Sequence, residues 1–438
     1  MIAVVFSHAQ AAEKLRTIVT TDGETDDRCS MIRFLLYANE WDVRGLIHSS
    51  SKHHWQGDAV HPAKKWTDVT WLDRQLTQYA EVYPNLKLHA ADFPSPDQLR
   101  RQVFVGNIAY EGDMAQPTPG SERILEILLE NDSSPVWLQA WGGANTIARA
   151  LKSIEERHPD RRAEVTRKAR LFLIASQDTT TEDYILKHWP GIFIIRSTGA
   201  YTAIAYRWEQ IMTPEEQKYF DQDWMTGNIL KDHGPLAAGY EVRKDGAFRS
   251  EGDSPAFLHL IDVGLRSLEQ PGYGGWGGRF EWVGDQWRSA ADAGSVTRSL
   301  MRWAMAFQND WAARADWCVK NYRQANHPPH VKLAHPANLA AHPGQIVNLS
   351  ALGSTDPDGN QLSFNWWQYP EAGSYRGKLN LQLPHSAETP VVAPDPARDG
   401  DTIHIICAVT DDGTPRLTRY QRVIITIANR SGAASHSK

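Results

Sequence analysis

Hydrophobic and polar positions follow two different patterns along the chain. From Leu15 to about Ala205, short apolar runs rich in β-branched residues alternate with stretches whose apolar residues recur every three or four positions. This alternation predicts an α/β fold, a mainly parallel sheet with flanking helices. The predicted strands are Thr17–Thr21, Val43–His48, Val136–Trp141, Leu171–Ala175 and Ile192–Arg196, and the predicted helices are Met31–Ala38, Ala63–Val82, Glu122–Leu129 and Asn145–Arg157.

Residues 206–325 have a weaker pattern. They combine tryptophan-rich helical stretches, of which Leu300–Phe307 is the clearest, with a glycine-rich loop at 272–278. Two interpretations of this loop remain open. It is either a flexible aromatic lid, which makes Trp276 a candidate for stacking on a sugar or a base, or a tight turn with Trp276 packed inside.

The pattern changes after residues 326–330, where two consecutive prolines predict a linker between domain 13–325 and domain 331–430. Short alternating strands separated by turns follow, and this rhythm predicts an immunoglobulin-like β-sandwich that folds independently. Adjacent Trp366 and Trp367 should point to opposite faces, one into the core and one outward or toward the first domain. The predicted strands are Ile346–Ala351, Leu362–Trp367, Leu379–Leu383, Ile403–Thr410 and Val423–Ile427, and a disordered tail is predicted at 431–438.

Composition narrows the class of ligand. The 438 residues carry 46 Lys+Arg against 52 Asp+Glu, a net charge of −6, which gives no basic surplus for binding nucleic acid. No apolar run is long enough to span a membrane, so no membrane partner is expected. Tryptophan is abundant, 17 against 12 Phe, and indole rings stack well on sugars and bases, although more than half should fill cores. The expected partner is a small sugar, nucleoside or oligosaccharide, and the oligomeric state, a homo-oligomer included, is open.

The N-terminus and the cysteines bear on localisation. Residues 1–12 join a short apolar run to Ala9-Gln-Ala11, a pattern typical of signal-peptidase sites, but lack a basic start. They are interpreted as the remnant of a signal peptide, which predicts a periplasmic or extracellular protein, or else as an ordinary terminus. The three cysteines, Cys29, Cys318 and Cys407, are too far apart for a zinc motif or a disulfide framework and are predicted to be buried thiols.

The strongest chemical signal is an acidic loop after the first predicted strand. Asp22, Glu24, Asp26 and Asp27 place four carboxylates within six residues, directly before a helix. Loops after parallel strands meet at one edge of the sheet, where α/β folds bind ligands. Such a density of negative charge suits a hard cation such as Ca²⁺, which prefers oxygen ligands. The alternative is a solvated helix start in which Asp26 and Asp27 complement the helix dipole.

These residues resemble a known family. Asp22-Gly-Glu-Thr-Asp-Asp27 is similar to the Asp-x-x-x-Asp-Asp signature of nucleoside hydrolases, which hold Ca²⁺ above a parallel sheet and hydrolyse N-ribosidic bonds. Trp141-Gly-Gly-Ala-Asn-Thr146 resembles that family's Gly-Pro-Leu-Thr-Asn segment, and Gly252-Asp253-Ser-Pro255 resembles its His-Asp-Pro segment. Over residues 13–430 the chain resembles secreted nucleoside-hydrolase-like proteins described as cellulose-binding, which add a small β-sandwich.

The resemblance implies a calcium-dependent hydrolase of glycosidic bonds, N-ribosyl or other glycosyl, in which a water held by the metal attacks an anomeric carbon. Asp22 is then a metal ligand and the general base, and Asp27 is the principal metal carboxylate. The backbone carbonyl of Ala144 is implied as a further ligand, and Asp253 as a residue that binds both the metal and the sugar. Asp26 would bind a sugar hydroxyl, and Asn145 of the second segment is a substrate-binding candidate.

Three positions depart from the family's pattern. Thr20 replaces its first Asp, Glu24 replaces a Gly, and Gly252 stands where some members use a histidine to protonate the leaving base. Activation of a purine-type leaving group is therefore not expected, and Glu24 is either a substitute acid or a solvent-facing side chain. Two non-catalytic alternatives remain, a secreted carbohydrate-binding (cellulose-type) protein and a surface scaffold with a structural metal.

Three further residues are substrate-binding candidates because of their position. His53 and His54 follow the strand that ends at His48, and Asp178 follows the strand Leu171–Ala175. Each is placed near the ligand-binding edge of the predicted sheet. The alternatives are exposed loop histidines and an aspartate that caps the next helix.

Overall fold

The computed structural model describes residues 14–428. The predicted signal-peptide remnant at 1–12 and the predicted tail at 431–438 lie outside the described residues. None of the helices within 14–428 combines the length and the apolar character needed to cross a membrane.

An eight-stranded sheet organises the first domain. Its strand order is β3-β2-β1-β4-β5-β6-β8-β7, and every neighbouring pair is parallel except the antiparallel edge hairpin β7–β8. The strands are β1 Leu15–Thr21, β2 Trp41–His48, β3 Val103–Val105, β4 Val136–Ala140, β5 Ala169–Ile174, β6 Phe193–Ser197, β7 Phe280–Val283 and β8 Gln286–Ser289.

Helices cover both faces of this sheet. Alternation along β1 sends Ile18 into one buried cluster and Val19 into the other, so the central strands are apolar on both sides. The helices are α1 Thr25–Leu36, α2 Trp71–His89, α3 Pro96–Arg100, α4 Pro119–Leu129, α5 Asn145–Arg157, α6 Arg162–Lys168, α7 Leu186–His188, α8 Pro214–Gln217, α9 Gln222–Met225, α10 Gly234–Ala238, α11 Ser254–Leu258, α12 Arg298–Met301 and α13 Ala304–Trp317.

The predicted α/β class is confirmed, and the five predicted strands and the helix at Asn145–Arg157 are found with small shifts at their ends. The prediction that a helix starts at Ala63 is wrong, because α2 begins at Trp71. Leu300–Phe307 is divided between α12 and α13. All three cysteines are buried free thiols, as predicted.

The C-terminal domain consists of two β-sheets that share one core. Strands β10 and β12 form one sheet, and the other has the order β11-β13-β14-β9. The predicted strand Leu379–Leu383 is wrong, since this segment contributes only the single bridge between Leu381 and Val391. The strands are β9 Asn338–Ala341, β10 Ile346–Ser350, β11 Leu362–Gln368, β12 Glu388–Val392, β13 Thr402–Asp411 and β14 Thr418–Ile427.

The two domains are packed directly against each other. Trp366 is buried in the sandwich core, whereas Trp367 faces the first domain with its ring centroid 5.8 Å from that of Trp303, as the alternation predicts. Tyr369, Ile406 and Tyr420 of the sandwich belong to the main buried cluster of the first domain. The sandwich therefore completes a core that the first domain does not close by itself.

Hydrogen bonds hold this junction in one geometry. Arg422, fully buried, donates to the carbonyl oxygens of Leu265, Tyr273 and Gly274. Gly264 has φ +87°, and a Cβ there would lie 1.8 Å from the carbonyl oxygen of Tyr420, so the close approach requires glycine.

The segment 326–330, which the sequence predicts to be a linker, is held in place. Asn326 and His327 are buried. The Asn326 side chain donates to Asp411 and to the carbonyl oxygen of Pro415, and the backbone N–H of His327 donates to Asp358 at 2.7 Å. The connection between the domains is therefore packed rather than free.

Candidate active site

A cleft of about 270 Å³ opens at the carboxyl edge of the parallel sheet. Its walls are the loops that follow β1, β2, β4, β5 and β6, together with Asp253 immediately before α11. The lining residues with polar or aromatic side chains are Glu24, Asp26, Asp27, Lys52, His53, His54, Lys65, Trp141, Gln177, Tyr201, Tyr206 and Asp253.

The acidic loop is fixed by its own hydrogen bonds. The Thr21 hydroxyl and the Asp22 backbone N–H both donate to the same oxygen of Asp27, and the Glu24 backbone N–H donates to Asp22 at 3.2 Å. Gly23 turns the chain with φ +73°, and a Cβ there would approach the Trp71 indole nitrogen to 2.8 Å. This turn places Asp22 and Asp27 on the same side of the loop.

Six side chains form two groups that are each compact enough to hold a metal ion. Asp22, Glu24 and His54 form one, and Asp26, Asp27 and Asp253 form the other, with the ligand atoms of each group within 4.8 Å of one another. Asp253 is 231 positions away from Asp22 in the sequence, yet their Oδ2 atoms are alike: both are buried and accept no hydrogen bond from the chain. Buried carboxylate oxygens without donors are costly, and a cation supplies the missing partner.

The ionisation of the cluster reflects its crowding. Burial, followed by the neighbouring carboxylates, raises the pKa of Asp26 to about 7 and raises the pKa values of Asp27 and Asp253 well above the ordinary range. Burial would also raise the pKa of Asp22, but the neighbouring His54 and Ser51 side chains outweigh it and lower that pKa. Asp22 thus ionises more readily than Asp26, Asp27 or Asp253.

His54 is the nearest basic group to Asp22. It is buried, and its Nδ1 lies 3.6 Å from Asp22 Oδ2 and 3.6 Å from Glu24 Oε2. Burial alone would lower the pKa of His54, but the two carboxylates raise it. His53 is exposed at the mouth of the cleft. The structure therefore brings both predicted histidines to the site, with His54 inside it.

Tyr206 and Tyr201 are among the cleft residues that the sequence analysis missed. Tyr206 donates its hydroxyl to Glu24 and Asp26, at 3.0 and 3.2 Å, and Tyr201 lines the cleft beside it. Both lie in the segment that follows β6, so the rule that ligands bind at the carboxyl ends of strands could have indicated them.

Three predicted residues lie behind the cleft rather than in its walls. The Asn145 side chain is buried and is held by Ser49, Ser50 and two backbone carbonyls. Asp178 accepts the Asn145 backbone N–H and bonds Thr180, which is a helix-capping role. The Ala144 carbonyl oxygen accepts the Ala148 N–H at 2.8 Å, the first bond of α5. Together these contacts position the loop after β4.

The prediction of Trp276 as a substrate-stacking residue is corrected by the structure. Its side chain is 1% exposed, lies 6.4 Å from the ring of Phe307 and is covered by Arg419 of the sandwich. Of the two interpretations of the glycine-rich loop, the packed turn is the one observed.

Comparison with known proteins assigns the family. A family profile described as "Cellulose-binding Sde182, nucleoside hydrolase-like domain" matches residues 16–280, and "Cellulose-binding protein Sde0182, C-terminal domain" matches residues 346–427. The chain belongs to this family. The resemblance inferred from the acidic loop and the two later segments is thereby confirmed.

A solved structure supports the same assignment. A nucleoside hydrolase-related protein from Saccharophagus degradans, whose title associates it with carbohydrate metabolism, is 30% identical with a TM-score of 0.79. The match covers 94% of this chain and 100% of that one. A plant nucleoside hydrolase aligns at 12% identity with a TM-score of 0.35, over 66% of this chain and 98% of its own. No curated protein matches the chain.

Proposed function

We propose that this chain is a calcium-dependent hydrolase of glycosidic bonds in carbohydrates. The observation that carries the proposal is that two sequence-distant carboxylates in the two acidic groups of this site, Asp22 and Asp253, both have a buried Oδ2 atom without a hydrogen-bond donor. A metal with a purely structural role would not need all four carboxylates, Asp22, Asp26, Asp27 and Asp253. Their presence together therefore favours a catalytic site.

The residues present fit a hard divalent cation. Asp27 and Asp253 of one acidic group would hold it together with Asp22 of the other, since oxygen ligands of this kind suit Ca²⁺. When bound, such a cation supplies charge that acidifies a coordinated water and offsets the repulsion among the carboxylates.

The chain's own residues account for the remaining chemistry. Asp22, with its lowered pKa, is ionised at neutral pH and accepts the proton of a water that attacks the anomeric carbon. Asp26 and Asp253 can accept hydrogen bonds from sugar hydroxyls, and their charge favours the oxocarbenium character of the transition state. Gly252 supplies no acid, so the oxygen of the leaving sugar, which takes up a proton as the glycosidic bond breaks, would receive it from His54, which lines the cleft and whose pKa is raised by its neighbouring carboxylates.

Support for a carbohydrate comes from the relatives. The matching family is described as cellulose-binding, and the Saccharophagus degradans protein is associated with carbohydrate metabolism. We also propose that the protein is exported, because glycans of this kind lie outside the cell membrane. The sequence pattern of residues 1–12 agrees with export.

The second candidate function is non-catalytic carbohydrate binding at the same cleft. Thr20 and Gly252 favour it, because both replace side chains that catalytic relatives are expected to use. Thr20 is fully buried, and its hydroxyl donates to the Gln139 carbonyl oxygen at 3.3 Å, so it contributes nothing to the cleft.

A substrate screen distinguishes the two. The purified protein is incubated with nucleosides and with plant and algal oligosaccharides, in Ca²⁺ and in EDTA, and released reducing sugar and base are measured. Hydrolysis of an oligosaccharide that EDTA abolishes is the expected result. Ca²⁺-dependent binding without release of any product would overturn the hydrolase and leave the binding protein.

A further inference from the structure

We propose that the edge hairpin β7–β8 binds a single chain of a cellulose-type β-glucan through Trp282 and Trp287, at a surface separate from the cleft. The chemical class of the ligand rests on the carbohydrate ligand of the proposed function. The location rests on the hairpin itself.

Trp282 is the most exposed tryptophan of this protein. The chain has 17, all within the described residues, and Trp282 is the one with more than a third of its surface exposed, at 56%. Its neighbour Val283 is 41% exposed, so the two form an exposed apolar patch, and such a patch marks a contact surface. Indole rings stack on the apolar faces of sugar rings and gain binding energy from doing so.

Trp287 supports Trp282 from the neighbouring strand. The two residues are directly opposite in the antiparallel register, and their ring centroids lie 5.6 Å apart. Trp287 is half-buried and reaches back to the main core, so the pair stands on a rigid base. Side chains opposite each other in such a register share one face of the hairpin.

The angle between the rings determines the form of the ligand. Their planes meet at 73°, which makes a corner rather than a flat platform. The flat face of crystalline cellulose could lie against only one of these rings. In a single glucan chain, the face of one pyranose ring can stack on one indole ring while the other indole ring contacts the side of the chain. The corner therefore favours soluble or amorphous glucan.

The hairpin is also protected against pairing with a second copy of the protein. As an edge strand, β7 exposes backbone N–H and C=O groups, which can hydrogen-bond sugar hydroxyls or another strand. Glu281, Asp285 and Arg288 are exposed along it, and charged side chains on an edge oppose strand pairing. These charges favour a neutral glycan over a second copy.

The test measures binding of cellohexaose by calorimetry and retention of the full-length protein on amorphous and on microcrystalline cellulose. W282A should bind cellohexaose about tenfold or more weakly, which is the loss expected for one stacking ring. M305A removes a side chain with 53% exposure on α13 and is the matched control, which should bind as the parent does. Melting curves show whether each variant is folded.

The proposal is overturned if W282A binds cellohexaose like the parent, if the parent does not bind it, or if retention on microcrystalline cellulose equals that on amorphous cellulose. It is also overturned if sedimentation shows a dimer that W282A dissociates without loss of glucan binding. A parent that binds cellohexaose through Trp282 but hydrolyses nothing contradicts the proposed hydrolase and leaves this site intact.

Discussion

Arg33 and Glu251 form an ion pair in which both side chains are fully buried, with 2.7 Å between Nε and Oε2. Arg33 lies on α1, the helix that begins with Asp26 and Asp27, and Glu251 lies two residues before Asp253. The pair therefore joins the two sequence-distant parts of the acidic site from beneath, and it positions their carboxylates without contacting the cleft.

Breaking this pair should be strongly destabilising. R33M leaves the Glu251 carboxylate buried without its counter-charge, which typically costs about 3–5 kcal/mol of unfolding free energy. Urea unfolding in Ca²⁺ measures this. Adding E251Q should recover part of the loss, because the amide carries no charge. K218M breaks an exposed pair with Glu215 and should change stability by about 1 kcal/mol or less. A small effect of R33M would contradict the role assigned to the pair.

A second prediction concerns pH and calcium together. In EDTA we expect the folded protein to bind protons on Asp26, Asp27 and Asp253 more tightly than the unfolded chain does, because these pKa values are raised. Their contribution to stability is therefore present at low pH and is lost as pH rises through the folded pKa, about 7 for Asp26. We expect Ca²⁺ to displace those protons.

The measurement is the difference in Tm between saturating Ca²⁺ and EDTA, which should grow from about pH 5 to about pH 8. D26N should reduce the pH dependence, since one titrating carboxylate is removed. A difference that stays constant with pH would show that protons and calcium do not compete at this cluster.

The general-base assignment is tested by D22N. Once a substrate is found, this variant should lose about 10²–10⁴ in turnover at saturating Ca²⁺, because the amide cannot accept the proton. D253N should weaken calcium and sugar binding together. E24Q changes another cleft carboxylate and should keep most of the activity. Turnover by D22N at the parent rate with calcium bound would make His54 or Glu24 the next candidate base.

The sequence predicted much of this site because its carboxylates lie in short motifs. Asp22, Asp26 and Asp27 follow a recognisable strand, and Asp253 matches a segment that could be found without the fold. Tyr206 carries no such signature, since an aromatic residue after a strand resembles a core residue. The environment of Trp276 could not be predicted either, because it is made by Phe307 and Arg419, both distant in sequence.

Some strands were missed or wrongly predicted for similar reasons. The edge strands β7 and β8 are short and mostly exposed or polar, so they lack the apolar runs of the central strands. Leu379–Leu383 has the alternation of a strand but only one bridge to a partner. Alternation reports which side of a segment is buried, whereas pairing depends on a neighbour that the local sequence does not specify.

The domain junction gives a last prediction. G264A should cost more than about 2 kcal/mol, because its Cβ would strike the Tyr420 carbonyl oxygen at a backbone angle that already disfavours alanine. G294A has a similar φ of +81° with nothing within 4 Å and should cost about 1 kcal/mol. Equal losses in urea unfolding would show that the junction tolerates the added methyl group.

The same junction determines how the isolated sandwich behaves. Residues 331–430 alone would expose Tyr369, Ile406 and Tyr420, which the full chain buries, so the fragment should be less stable than independent folding would imply. The intact protein should unfold in one transition followed equally by fluorescence and circular dichroism. Two separated transitions would contradict this.

Arg422 and Gly264 also decide what kind of two-domain protein this is. When two modules are joined by a flexible linker, each can move through a volume that the length of the linker sets. Their combined affinity then depends on the effective concentration that the linker allows. Here the sandwich is fixed to the nucleoside hydrolase-like domain by buried hydrogen bonds and a backbone contact, so it cannot move independently of that domain. A polymer that binds both domains at once must span one fixed distance between them. The affinity gained by binding both domains therefore depends on the length of the polymer.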